Sequence, residues 1–331
     1  MARAEVQQRA EQTGRGRDAA APREIPWKGW KDITTRVIGE ISRDRVMLIA
    51  AGITFYLVLA LFPALAAFIS VYGLFADPAT VSDQLSYLDG VLPSSGLELI
   101  QAQLVELAAQ DQQALGIGFL VSFVVAFWSA NNGVKAMFVG MNVAYDEEEK
   151  RSFVKLTAIS FAFTIGVMMM AAFLIAVIAV IPAILALVRL DDVADTVVRL
   201  SRWLLLLGAV LVAISLLYRF GPSREEPQWR WVTWGSGLAT VVWIIVSAAF
   251  SFYLQNFADY NATYGSLGAA IGFMMWIWIS VTIILVGAEL NSEMEHQTAI
   301  DTTTGSPRPL GERGAVVADE LGAASDENPR Q

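Results

Sequence analysis

Residues 156–187 read LTAISFAFTIGVMMMAAFLIAVIAVIPAILAL, an apolar run without a cluster of charges. A helix needs roughly 20 such residues to cross about 30 Å of hydrocarbon. Working outward, five more runs meet that length: Val46–Leu74, Leu115–Met141, Val197–Leu217, Trp231–Phe257 and Leu267–Leu290. Hydrophobic residues make up 55% of the chain and charged residues 17%, against roughly 25% charged in soluble domains. The bilayer is therefore the main solvent of the expected fold. Backbone groups find no water in hydrocarbon, so the spans are expected to be helices. The predicted fold is all-α, a polytopic membrane protein with six transmembrane helices.

Lys and Arg set the orientation. Ten of them lie between Arg3 and Arg45. The first loop, about 76–113, has none but carries Asp77, Asp83, Asp89, Glu98, Glu106 and Asp111. Lys150, Arg151 and Lys155 mark the second loop, and Arg219, Arg224 and Arg230 the fourth. Both termini and these two loops are expected in the cytoplasm. The third loop fits least well, because Arg189 and Arg199 are offset by Asp191, Asp192 and Asp195. The net charge of −9 comes largely from the outer loop and the C-terminal tail, so it does not indicate nucleic-acid binding. Cys is absent, which excludes disulfides, thiolate nucleophiles and Cys-ligated metals.

Three segments are expected. Residues 1–26 and 298–331 are polar and read as disordered cytoplasmic tails. Residues 27–297 form the membrane domain. The N-terminal stretch has no apolar h-region, so the first span is expected to act as an uncleaved signal anchor. Trp30, Ile33, Val37 and Ile41 fall on one side of an interfacial helix over Trp27–Ile41, with Lys31 and Arg36 off that stripe. In the first outer loop, Val81, Leu85 and Leu88 form one short stripe, and Leu97, Ile100, Leu104 and Leu107 another. Ser95 with Glu98 fits a capping box for the second. These amphipathic helices between the first and second spans either cover the outer face of the bundle or roof a cavity.

Pro63 and Pro182 lie inside apolar spans and are expected to kink or end their helices. Gly235 with Ala239, Ser247 with Ser251, and Gly268 with Gly272 have spacings that suit close helix crossings.

Polar groups inside the spans carry the functional reading. Asn131, Lys135, Phe138 and Asn142 share one face of the second span, and Asn132 lies about 100° round from Asn131. A lysine at that depth costs a few kcal/mol unless paired or hydrated. Glu289 and Glu293 lie one turn apart near the end of the sixth span, with Asn291 on another side. Lys135 and Glu289 fall at similar depth, so an ion pair between them is geometrically open. Such residues either set helix register or line a polar cavity open to the cytoplasm. At the outer end of the fifth and sixth spans, Tyr253, Tyr260 and Tyr264 suit an aromatic belt. The alternative there is an outer gate of Asp259, Asn261 and Tyr264.

Several runs together resemble the YihY/BrkB family of bacterial inner-membrane proteins. They are Ala50-Ala-Gly-Ile-Thr-Phe-Tyr with Phe62-Pro63, Ser129-Ala-Asn-Asn-Gly-Val-Lys, Tyr218-Arg-Phe-Gly-Pro, Tyr264-Gly-Ser-Leu-Gly, and Gly287-Ala-Glu-Leu-Asn. The resemblance covers about residues 30–295 and implies a six-helix bundle in the cytoplasmic membrane. Members of that family have carried labels of ribonuclease BN, serum-resistance factor and transporter, with links to lipid export. A metal-dependent ribonuclease of the metallo-hydrolase type needs several His and Asp ligands, and this chain has one His, His296. A general acid–base ribonuclease needs a basic groove, for which the short loops leave no domain.

The reading is thus a non-enzymatic transporter or flippase-like conduit for a lipid or other amphiphilic or anionic substrate, without cofactor. Its candidate pathway residues are Asn131, Asn132, Lys135, Asn142, Glu289, Asn291 and Glu293. No Gly-x-x-x-x-Gly-Lys-Ser/Thr motif occurs, so energy would come from a gradient, a partner or passive exchange. The expected partners are membrane lipids, with a second copy or an envelope protein as further options. The alternative is a membrane scaffold that organises an envelope assembly. A lipid-acting membrane enzyme built on the Glu289 and Glu293 carboxylates ranks third.

Overall fold

The computed structural model describes residues 8–73, 112–175, 192–256 and 267–327. In order, its helices are α1 (Trp27–Arg43), α2 (Val46–Gly73), α3 (Gln112–Ala144), α4 (Phe153–Ile175), α5 (Asp192–Phe220), α6 (Trp229–Asn256), α7 (Gly268–Glu295) and the short α8 (Val316–Asp319). Among the described residues there is no strand, only an isolated bridge between Pro227 and Thr303.

Among the described residues, three helices are long and apolar enough to cross a membrane by themselves: Phe153–Leu174, Trp229–Leu254 and Ala270–Glu295. A fourth crossing follows if α1 and α2, bent by 58° at their junction, are taken as one broken span. The apolar part of α5, Leu204–Phe220, is shorter. Many large apolar side chains point away from the protein, among them Val124, Trp128, Met169, Leu204, Ile245 and Phe252. Patches of that kind are rare on soluble monomers, and hydrocarbon solvates them.

α1 is amphipathic as its stripe requires. Ile33 and Val37 are buried with Ile25, Trp231 and Met294, and Trp30 and Ile41 pack at the margin. The chain then turns sharply, because Arg45 adopts a left-handed φ of 52°, a conformation uncommon outside glycine. Pro63 lies inside α2, which continues through it to Gly73. A proline removes one donor, and here that loss does not end the helix. Pro182 and the expected outer-face helices lie outside the described residues.

The main core joins α2, α3, α5, α6 and α7 through Ala50, Ile53, Met141, Ile214, Tyr218, Val232, Ala239, Val281, Leu285 and Ala288. Small residues let these helices approach. Tyr218 Oη donates to the Ile284 carbonyl at 2.7 Å, directly beside Gly287. A Cβ on Gly287 would stand 2.2 Å from Tyr218 Oη and 2.9 Å from Ala239 Cβ. Gly287→Ala therefore sets a helix-propensity gain of about 1 kcal/mol against an overpacking cost of about 1–3 kcal/mol. A net loss of about 1 kcal/mol is expected in thermal unfolding of the detergent-solubilised protein. Gly208→Ala, whose Cβ would meet nothing within 4 Å, serves as the control and should show the propensity gain of about 1 kcal/mol alone.

The described parts of both tails depart from the expected disorder. Arg17 lies buried and donates to the carbonyls of Gln297 (3.2 Å) and Gly322 (2.7 Å). Ala299 N–H reaches the Arg17 carbonyl at 2.8 Å, and Gly322 N–H the His296 carbonyl at 2.9 Å. Thr302 and Thr304 pair with Gln228 and Glu226 of the α5–α6 turn. Burial lowers the Arg17 guanidinium to about 10, helped by the nearby Arg36 charge, so it remains a cation at neutral pH. Ala19, Val317, Ala318 and Leu321 supply the apolar part of this layer. The two tails order each other over the end of α7.

Candidate functional site

The polar residues singled out along the spans do not meet at one place. The structure divides them among a groove, a set of structural staples and a buried acidic cluster.

The groove lies between α2 and α3 and has a volume of about 540 Å³. α2 lines it with Ile49, Gly52, Ile53 and Tyr56, and α3 with Asn132, Lys135, Ala136 and Val139. Each set follows the i, i+3, i+4, i+7 spacing of a single helix face, so two straight faces form its walls. Gly52 keeps the α2 wall low: a Cβ there would meet nothing within 4 Å. Nearby, Gly133 lets α3 close on α2, where a Cβ would stand 3.0 Å from Leu57. Lys135 Nζ donates to Thr157 Oγ1 at 3.3 Å and lies 5.5 Å from the centre of the Phe153 ring. Among the described residues no carboxylate pairs with it.

The open option of a Lys135–Glu289 ion pair is therefore not realised. Lys135 turns to the groove and to α4, whereas Glu289 is buried and its Oε1 meets no partner. Stability losses from Lys135→Ala and Glu289→Ala should add within about 0.5 kcal/mol. A double variant clearly more stable than that sum would restore the pair.

The asparagines serve as staples. Asn131 is buried and its Oδ1 accepts from Thr164 Oγ1 of α4 at 3.5 Å. Asn142 accepts from the Ser223 backbone N–H at 2.7 Å and donates to Glu149 Oε2 at 3.0 Å, which joins the α3–α4 and α5–α6 turns. Burial pushes the Glu149 carboxyl up, but hydrogen bonds from Arg151 and Asn142 outweigh it and hold the group at about 2. Asn291 is fully buried, accepts from Gly235 N–H at 3.0 Å and donates to the Val232 carbonyl at 3.4 Å. Gly235 is small for this reason, since a Cβ would stand 2.2 Å from Asn291 Oδ1.

Glu293 pairs with Arg36 of α1 and faces His296 Nδ1 at 3.6 Å. Arg36 also donates to Gln297 Oε1 and to the Ala323 carbonyl, each at 2.8 Å. Glu289 is 1% exposed, and its Oε1 meets no donor.

Sequence reasoning missed Gly52 and Tyr56 of the groove, and the buried Arg224–Glu295 pair with the Tyr145 ring beside it. Arg224 stood in the sequence as an ordinary cytoplasmic-loop cation. In the structure burial works against that cation, and the charge and hydrogen bonds of Glu295 raise it above its ordinary value. The outer-gate residues Asp259, Asn261 and Tyr264 lie outside the described residues. Among the described residues no group of three His, Cys, Asp or Glu side chains is arranged to hold a metal ion.

Comparisons with known proteins follow this architecture. The family model for virulence factor BrkB matches residues 37–310. A Bacillus subtilis (strain 168) protein named ribonuclease-like protein YfkH is 33% identical over 253 residues, covering 73% of this chain and 88% of that one. The UPF0761 membrane protein VV0203 of Vibrio vulnificus (strain YJ016) is 26% identical over 270 residues, covering 78% and 82%. A UPF0761 membrane protein of Alteromonas mediterranea is 23% identical over 270 residues, covering 80% and 88%. No solved structure matches the chain. A membrane protein built of apolar helices, matched along most of its length, this chain belongs to the virulence factor BrkB family.

Proposed function

We propose that this protein is a six-span conduit of the bacterial inner membrane, with both termini cytoplasmic, that carries an amphiphilic substrate with an anionic group. The observation that carries this reading is Lys135. It is a cation on an apolar helix, and it has no carboxylate partner among the described residues. It lines an open groove of about 540 Å³ whose other walls are mostly apolar. An intramembrane lysine is costly unless something compensates its charge. A substrate anion at Nζ, with its apolar part along Ile49, Ile53 and Val139, supplies that compensation. Asn132 and Tyr56 add polar groups to the same walls.

The ordered cytoplasmic layer favours a second reading, a scaffold that docks an envelope partner through its folded tails. Ribonuclease chemistry gains no support from the residues. The chain's one His lies against Glu293 at 3.6 Å, and among the described residues the loops build no basic groove.

Reconstitution into vesicles tests the conduit. Fluorescent phosphatidylglycerol is expected to move between leaflets faster with the wild type than with Lys135→Ala, while zwitterionic phosphatidylcholine moves less with either. Equal movement in wild type, variant and protein-free vesicles would count against transport and for the scaffold.

A further inference from the structure

The groove between α2 and α3 opens sideways, and both of its walls belong to helix stripes that face outward. On α2, Leu48, Gly52, Phe55 and Leu59 follow the i, i+4, i+7, i+11 spacing of one face, and all four are exposed. On α3, Trp128, Asn132, Lys135 and Val139 follow the same spacing, and Trp128 and Val139 are 64% and 59% exposed. Asn132 and Lys135 thus stand between two side chains that hydrocarbon solvates. Ile53, 1% exposed, forms the floor. Among the described residues the groove is therefore a slot in the lipid-facing surface, not a water-filled vestibule within the bundle.

The slot also has a defined depth. Contacts of Asn142 with Ser223, Glu147 with Val316, and Arg224 with Glu295 bring the α3–α4 turn, the α5–α6 turn, the end of α7 and the C-terminal tail to one side of the protein. α2 and α4 start at that side, and α3 ends there. At about 1.5 Å per residue, Ile49 lies about 5 Å along α2 from its start and Tyr56 about 15 Å. Each leaflet supplies about half of the ~30 Å of hydrocarbon, so the slot occupies one leaflet. The Lys135 amine reaches back toward the tail-bearing side. Its partners, the Phe153 ring at 5.5 Å and Thr157 Oγ1 at 3.3 Å, belong to the first residues of α4. The side chain thus snorkels toward the headgroup level, while Ile49, Ile53 and Tyr56 descend toward the bilayer midplane. A phospholipid standing in its leaflet has the same order, phosphate above and acyl chain below.

We infer that the slot is a lateral site for a phospholipid of net negative charge, loaded from the leaflet on the tail-bearing side. The lipid slides in past Gly52, where no side chain blocks the wall. Its phosphate meets Lys135 Nζ, and an acyl chain lies along Ile49 and Ile53. Charge complementarity selects the occupant: a lysine on a lipid-facing stripe is compensated by an anion that already resides in the membrane. The inference rests on the conduit reading of the groove and adds the ligand's source and route. Neither an aqueous pool nor the opposite leaflet supplies it. In the proposed orientation the loading leaflet is the cytoplasmic one.

Photo-crosslinking of the full chain in vesicles tests this. An affinity tag on the C-terminus sorts vesicles with the tails outside from those with the tails inside. Short-chain phosphatidylglycerol bearing a diazirine on its acyl chain is added from outside, flashed at once, and its adducts are mapped by mass spectrometry. Tails-out vesicles are expected to give adducts on the segments Ile49–Tyr56 and Asn132–Val139, and tails-in vesicles only after a delay. Lys135→Ala should reduce the tails-out adducts about ten-fold, and Gly52→Trp, which fills the entrance and keeps the lysine, should do the same. Equal early labelling from both sides overturns the assigned leaflet. Equal labelling by the phosphatidylcholine analogue overturns the charge selection and leaves Lys135 as a snorkelling residue. A Val139→Cys chain, with no native Cys, that crosslinks to a second copy in the membrane overturns the site in favour of a copy seated on the slot. Lys135-dependent movement of fluorescent phosphatidylglycerol with an unlabelled slot overturns the lateral site and leaves the conduit standing. Loss of both the movement and the labelling removes the conduit as well.

Discussion

Glu295→Ala is expected to lower stability by about 3–5 kcal/mol, because it strands a buried cation. Arg224 and Glu295 are 0% and 1% exposed in their side chains. They meet through two hydrogen bonds, of 3.1 and 2.7 Å, the paired geometry that makes guanidinium–carboxylate contacts strong. Each member has a further commitment. Arg224 lies 5.1 Å from the centre of the Tyr145 ring, and Glu295 Oε2 accepts from Thr302 Oγ1 at 2.6 Å. The pair thus ties the α5–α6 turn, the end of α7 and the C-terminal tail into one unit. Removing both charges together is a different experiment. Apolar replacement of a whole buried pair is often neutral or stabilising, so Arg224→Met with Glu295→Leu should recover most of the loss. Thermal unfolding of the wild type, Glu295→Ala and the double variant in one detergent checks this. A single-variant loss near 0.5 kcal/mol, the scale of a surface pair, would mean that water reaches the site.

The second large effect belongs to the groove. Lys135→Ala should weaken retention of an anionic amphiphile about 10- to 100-fold, roughly 1.4–2.7 kcal/mol, with little change in stability. Lys135 makes one side-chain hydrogen bond, to Thr157, and forms no ion pair among the described residues, so its removal breaks little structure. Gly52→Trp separates shape from charge. It keeps Lys135 and fills the space above α2, where an added Cβ meets nothing within 4 Å. Gly in a helix interior costs about 1 kcal/mol relative to better helix formers, so this variant should remain folded while its groove is blocked. Loss of binding in both variants marks the groove as the site. Loss in Lys135→Ala alone would place the ligand outside the groove, around the Nζ charge.

Much of the architecture is legible in the chain, because hydrocarbon leaves few options. Apolar runs of span length become helices, and α4, α6 and α7 follow the runs that predict them. The stripe through Ile33 and Val37 is equally legible, since burial of one face sets its period. The spacing of Gly235 and Ala239 announces a close crossing, and the structure sets these residues against Asn291 and Gly287. The site is less legible, because spacing gives the face of a helix but not the direction in which that face turns. Asn131, Lys135 and Asn142 share a face by count, yet Asn131 turns to α4 and Asn142 binds two turns together. Asn132, one residue round, joins Lys135 in the groove. The order of the tails is hidden for another reason. Arg17 is held by carbonyls about 280 to 305 residues away, and local composition carries no trace of partners that distant.

Native mass spectrometry of gently extracted wild type beside Lys135→Ala and Gly52→Trp tests the central claim most directly. The groove reading predicts a discrete anionic amphiphile on the wild type, depleted in both variants. Bulk lipid alone on all three proteins, or a stoichiometric protein partner retained by all three, would contradict it and leave Lys135 with a structural role.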